Sequence, residues 1–273
     1  MRNYVLSRAF NEMAIGTPEQ RTDGVQPTYP QAQRVKAGAL AGFAYLPERP
    51  NGKTVIFFSG SEGSNAAMLG DAANEYCAHG FAVLGVDYRG FGENAAIPSK
   101  CTEQEFYADA RVIFDFARQS VEAEQIILHG FSLGGAVAAW LALALAQQGV
   151  HIGGLALHSS IKTMTHAAKQ TLPLPAPLAW PLGWLGGQFT GGGYNTKKYL
   201  RQLAKIYPEI PLHFIGGNAQ DELNLHETKL EQIPGFTRKS VHHGDEPHQI
   251  NGKRAANLNF DFWEDWQDEI TPN

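Results

Sequence analysis

The residues best suited to chemistry in this chain lie in Gly130-Phe131-Ser132-Leu133-Gly134-Gly135. A serine hydroxyl acts as a nucleophile when a base takes its proton and nearby donors stabilise the negative charge that follows. The G-x-S-x-G spacing suits both needs. A turn this sharp tolerates no bulky Cβ beside the serine, and it lifts the hydroxyl clear of the backbone. A helix that starts directly after the serine aims its positive end at the developing charge. An oxyanion also needs two N–H donors. One is the amide of the residue after the nucleophile, Leu133, and the other comes from the loop after an earlier strand. That loop reads Ser59-Gly60-Ser61-Glu62-Gly63-Ser64, and Ser61 is the expected second donor.

These residues need elements to hold them. Thr54–Phe58 and Phe81–Val86 read as buried strands, as do Gln125–His129, Ile152–Leu157, Leu212–Ile215 and Thr237–Val241. Helix-period segments lie between them: Asn65 to His79, Thr102 to Gln119 and Leu133 to Gln147, with Arg254 to Glu269 at the end. Thr102 with Glu105 three residues on predicts a capping box. Strand–helix alternation gives parallel βαβ units with right-handed crossovers, and strands this apolar call for helices on both faces. Gln31 to Tyr45 is expected as an antiparallel edge. The serine therefore sits where a strand turns into a helix.

With these motifs in place, the chain resembles the serine hydrolases of the α/β-hydrolase fold, and among them the small-capped esterase and monoacylglycerol-lipase-like group. The resemblance covers roughly residues 35–268 and rests on SGSEGS at Ser59–Ser64, DYRGFG at Asp87–Gly92 and GFSLGG at Gly130–Gly135. The family's first loop usually reads His-Gly, where this chain has Ser59. The resemblance implies an α/β fold with a mostly parallel sheet covered by helices on both faces. It also implies a short cap and hydrolysis of carboxylic esters through a Ser-His-Asp acyl-enzyme mechanism, with amide or peptide hydrolysis, or a non-catalytic binding role, as alternatives. No cofactor is implied.

The family places its triad in the chain order serine, acid, histidine, each after a different strand. The acid then falls in Gly216-Gly217-Asn218-Ala219-Gln220-Asp221-Glu222, with Asp221 the family-like choice and Glu222 the alternative. The histidine falls in His242-His243-Gly244-Asp245-Glu246-Pro247-His248, with His248 favoured over His242 and His243. The expected catalytic set is Ser132, Asp221 and His248. The same loop could hold a metal through His242, His243, Asp245 and His248, but no H-E-x-x-H supports it, and no metal is expected. Asp87 and Arg89 are read as structural.

Residues 161–209 break the strand–helix rhythm and are treated as a cap insertion in a single domain, 1–273. Residues 1–30 form an extension of unassigned structure. No residue between Lys169 and Lys197 is charged, and the stretch carries Trp180, Trp184 and Leu185 among prolines and leucines. These three are expected to line an apolar substrate pocket, which favours uncharged acyl groups and leaves room for weak contact with a lipid interface.

Composition sets the outer limits. Of 273 residues, 43% are hydrophobic, too many for a disordered chain. Two cysteines exclude a disulfide scaffold. A net charge of −5 argues against nucleic acid as a partner; the partner that the resemblance implies is a small-molecule ester. No apolar run reaches the length of a membrane span, and Arg8, Glu12 and Glu19 interrupt any signal-peptide core. The expected location is the cytoplasm.

Overall fold

A computed structural model describes residues 27, 29, 31–61, 64–164, 166–167, 193–217 and 228–243. Eight strands form one sheet: β1 (Ala32–Ala37), β2 (Leu40–Tyr45), β3 (Thr54–Phe58), β4 (Ala82–Val86), β5 (Ile126–Phe131), β6 (Gly154–His158), β7 (Leu212–Gly216) and β8 (Lys239–His243). Their spatial order is β1-β2-β4-β3-β5-β6-β7-β8. The first hairpin is antiparallel, as is the β2–β4 pair, and every later pairing is parallel. This is the mostly parallel α/β sheet that the resemblance implied, with the antiparallel edge in its expected place.

The helices are α1 (Asn65–Ala78), α2 (Glu103–Ala117), α3 (Leu133–Ala146) and α4 (Thr196–Ile206). Alternate residues of each central strand feed opposite faces. Ile56, Phe58, Leu84, Leu128, Leu155 and Phe214 join the core under α2, α3 and α4. Val55, Phe57, Val83, Ile127, Ala156 and Ile215 join the core under α1. α3 is apolar on every side because it is buried on every side, packed against the sheet, α2 and α4. The capping box at Thr102 and Glu105 is formed.

Some boundaries differ from the sequence reading. The segment read as one helix from Asn65 is broken at Gly70 (φ 42°, ψ −129°), a conformation that favours glycine. β8 starts and ends two residues later than expected, so His242 and His243 are its last residues rather than part of the following loop, paired with Ile215 and Gly216. Inside the 161–209 segment, α4 packs its Leu200 and Leu203 into the main core, as a crossover helix does. The expected helix at Arg254 to Glu269, the middle of the cap and residues 1–26 lie outside the described residues.

Candidate active site

β5 is fully buried and runs straight into the glycine motif. At its end Ser132 takes φ 51° and ψ −115°, neither strand nor helix, and becomes the N-cap of α3. Non-glycine residues reach this region only when the surroundings force it, at a cost of about 1–3 kcal/mol. The forcing contacts are explicit. A Cβ on Gly130 would lie 2.3 Å from the Gly134 carbonyl oxygen. One on Gly134 would lie 2.1 Å from the Phe58 carbonyl oxygen, and one on Gly135 would lie 2.3 Å from Ser160 Oγ. The three glycines let α3 start hard against β3 and against the chain leaving β6.

Backbone hydrogen bonds hold the turn. Ser132 N–H donates to the His158 carbonyl (2.9 Å), and the Ser132 carbonyl accepts from Gly135 N–H (3.1 Å) and Ile161 N–H (3.2 Å). Ser132 itself is 7% exposed. The loop after β3 closes over it: a Cβ on Gly60 would sit 3.4 Å from Ser132 Cβ. The Gly60 amide donates to Met68 Sδ (3.1 Å). Leu133 opens α3, so its N–H is among those that a helix leaves without an internal acceptor. Neither the Leu133 nor the Ser61 amide finds an acceptor among the described residues. Such donors at a helix start can stabilise an anion.

The structure thus brings Ser132, Leu133 and the Ser59–Ser61 loop together. Asp221, His248, Trp180, Trp184 and Leu185 lie outside the described residues. β7 and β8 end at Gly216 and His243, and Asp221 and His248 each come five residues further on. Among the described residues, no cluster of histidine, cysteine and carboxylate side chains could hold a metal.

Asp87 and Arg89 have the structural roles expected of them. Asp87 is buried; it accepts from Asn65 N–H at 2.6 Å and from Glu93 N–H at 2.9 Å, tying the end of β4 to the start of α1. Arg89 donates to the buried Asp109 of α2 through Nε (2.9 Å) and a terminal nitrogen (2.5 Å).

Two features escaped the sequence reading. The first is a row of buried histidines on the α1 side of the sheet: His129, His158 and His213, on adjacent strands. The His129 and His158 rings lie parallel at 5.7 Å, and His129 Nδ1 is 3.1 Å from Tyr76 Oη. The signal was present, because each is the one strongly polar residue in its apolar strand. The second is Glu103, the first residue of α2, which is buried. Its Oε1 accepts from Tyr199 Oη (2.7 Å), from Tyr194 N–H (3.2 Å) and from Tyr107 Oη. Tyr107 stacks flat on Trp140 of α3 at 4.1 Å. Burial beside this carboxylate raises the Tyr107 and Tyr199 phenols well above the ordinary range. Glu103 thereby fastens α2 and, through Tyr107 and Trp140, α3 to the segment from Tyr194 to Tyr199.

Comparison with known proteins agrees with this architecture. The family described as serine aminopeptidase, S33, matches residues 49–206, more than half of the chain. A multifunctional-autoprocessing repeats-in-toxin protein of Vibrio cholerae is 34% identical over 182 residues, 62% of this chain. The chain spans about 4% of the length of that relative. Among solved structures, an alpha-beta hydrolase from Vibrio vulnificus superposes with a TM-score of 0.73 at 26% identity, covering 97% of this chain and 92% of that one. An esterase of the bacterial hormone-sensitive lipase family matches at a TM-score of 0.66 and 15% identity over 99% of each chain, a likeness of fold.

Proposed function

Because this chain belongs to the serine aminopeptidase S33 family of α/β hydrolases, we propose that it is a serine hydrolase of carboxylic esters with apolar acyl groups. The observation that carries the reading is Ser132: a serine held at φ 51° and ψ −115° between a buried strand and a helix start. Strain of this kind is kept where it exposes a reacting atom. Ser132 Oγ attacks the ester carbonyl, and His248 takes its proton and returns it to the leaving alkoxide. Asp221 holds the imidazole in the required tautomer, with Glu222 as the alternative acid. The amides of Leu133 and Ser61 hold the tetrahedral oxyanion. Water then attacks the acyl-enzyme and releases the acid.

The uncharged stretch from 170 to 196 supports an apolar acyl pocket lined by Trp180, Trp184 and Leu185, within a cap carried by a single domain. It offers no carboxylate to hold a peptide's terminal ammonium, which favours esters over the aminopeptide substrates of the family's description. Buried, unbridged Cys77 and Cys101 suit a reducing compartment such as the cytoplasm. No helix among the described residues is long and apolar enough to cross a membrane.

The test is fluorophosphonate labelling together with a p-nitrophenyl ester series. Labelling is expected in the wild type and absent in Ser132→Ala. Each added acyl methylene should raise kcat/KM about fourfold until the pocket fills, from about 0.8 kcal/mol per buried methylene. Labelling of Ser132→Ala, or faster turnover of a matched p-nitroanilide than of the ester, would overturn the reading.

A further inference from the structure

The chain carries 27 acidic and 22 basic residues, yet one region at the C-terminal edge of the sheet is strongly basic. Thr196 Oγ1 donates to the Ile161 carbonyl (2.6 Å), and Met164 N–H donates to the Gly193 carbonyl (2.9 Å). These bonds lay the chain leaving β6 alongside the start of α4. They make neighbours of the next residues on each side, Lys162 and Lys197. Arg201 follows one helical turn after Lys197 on α4, and Lys229 approaches from the segment before β8.

Lys197, Lys229 and Arg201 each repel the Lys162 ammonium. None of the four cations has a carboxylate partner among the described residues. The first turn of α4 contains no acid and begins Thr196-Lys197-Lys198, so lysines stand at the helix end that is already positive. Partial burial first, and then repulsion from Lys197, Lys229 and Arg201, holds the Lys162 ammonium below the usual lysine range. The position is equally specific. Ile161, the residue before Lys162, donates its N–H to the Ser132 carbonyl.

We propose that Lys162, Lys197, Arg201 and Lys229 form a subsite for an anionic group, a carboxylate or phosphate, carried by the ester substrate beside the Ser132 elbow. The proposal rests on the hydrolase reading of Ser132 and adds a charged end to its apolar acyl pocket. An oxyanion here would offset the mutual repulsion of the four cations. A substrate with one apolar arm and one anionic arm would be fixed at both.

The test compares p-nitrophenyl esters of monocarboxylic acids with half-esters of dicarboxylic acids of equal length. The proteins are the wild type, a Lys162→Gln/Lys197→Gln/Lys229→Gln variant and a Lys162→Arg/Lys197→Arg/Lys229→Arg variant. At the length that spans the two sites, the wild type is expected to favour the anionic ester about tenfold in KM. The glutamine variant should lose that preference with KM for the neutral ester unchanged, and the arginine variant should keep it. A second arm needs no turnover: inorganic phosphate should raise the Tm of Ser132→Ala, but not of Ser132→Ala combined with the glutamine substitutions. If no ester is hydrolysed but the phosphate effect follows the cluster, the hydrolase reading fails and the anion site stands. If neutral and anionic esters are hydrolysed alike at every length, the subsite is overturned and the hydrolase reading stands. Charge-dependent binding to phosphatidylserine vesicles with no discrimination between the soluble esters would overturn it in favour of a membrane-docking patch.

Discussion

Ser132 sits in a backbone region that glycine occupies at far less cost, so its side chain and its conformation work against each other. Replacing it separates the two. Ser132→Gly should abolish fluorophosphonate labelling and raise the unfolding free energy by about 1 kcal/mol, the released strain less the extra chain entropy of glycine. Ser132→Ala should also be unlabelled, with stability near that of the wild type. Urea denaturation of the three proteins measures the difference, and a Ser132→Gly protein less stable than wild type would show that the turn is not strained. Gly134→Ala carries the opposite expectation. Its Cβ meets two backbone carbonyl oxygens, at 2.1 and 2.5 Å, which cannot swing aside as a side chain would. A loss of about 3 kcal/mol or more in the same titration is expected.

The remaining triad assignments are also decided at this scale. His248→Ala should lower kcat nearly as far as Ser132→Ala, on the order of a million-fold, and Asp221→Asn about ten thousand-fold. His242 and His243 end β8, paired with Ile215 and Gly216, where the strand fixes their backbones. Alanine at either should stay within about tenfold of wild type. A dead His243→Ala protein beside an active His248→Ala protein would move the base to the strand end.

Among the elements, α2 and α4 act as a clamp rather than as two separate crossovers. The Glu103 carboxylate accepts from Tyr107 and Tyr199 and from the Tyr194 amide, while Thr196 reaches the Ile161 carbonyl. Removing the carboxylate takes the acceptor from the buried Tyr194 amide and leaves the Tyr107 and Tyr199 hydroxyls only their contact with each other at 2.7 Å. Glu103→Leu is therefore expected to cost about 3–5 kcal/mol, and Tyr199→Phe, which removes one donor and leaves the acceptor satisfied, about 1 kcal/mol. Chemical denaturation checks both. Equal losses in the two variants would mean that the carboxylate is not the hub.

Across the whole molecule, tyrosine burial sets a limit in alkali. Burial raises the phenols of Tyr45, Tyr88, Tyr107, Tyr194 and Tyr199 well above the ordinary value of 10.0, and that of Tyr207 to about 12. A phenol with a raised folded pKa keeps its proton in the folded state while the unfolded chain loses it. Its contribution is complete below pH 10.0 and is lost as pH rises toward the folded value. Each such tyrosine removes up to about 1.4 kcal/mol per pH unit in that window. Tyrosinate absorbance should rise cooperatively with loss of far-ultraviolet circular dichroism above about pH 10. Gradual ionisation with the fold intact would contradict the burial.

Local spacing alone determined much of this protein. The alternation of apolar strands with helices specified a parallel sheet, and the G-x-S-x-G run marked the strand-to-helix turn, because both follow from neighbours in sequence and the periodicity of side chains. The capping box at Thr102 was legible for the same reason, as were the structural parts played by Asp87 and Arg89. Other features depended on distant contacts. Strand ends shifted by two residues in β8 because pairing with β7 sets its register, and no residue within β8 encodes that partner. Gly70 breaks α1 although the flanking pattern is helical. Glu103 looked like an ordinary acid in a helix's first turn until the fold brought Tyr194 and Tyr199 to it from more than ninety positions away. The basic group of Lys162, Lys197, Arg201 and Lys229 was equally invisible, because a net acidic chain gives no local sign of it. Like charges scattered along a sequence become one site only where folding overcomes their repulsion.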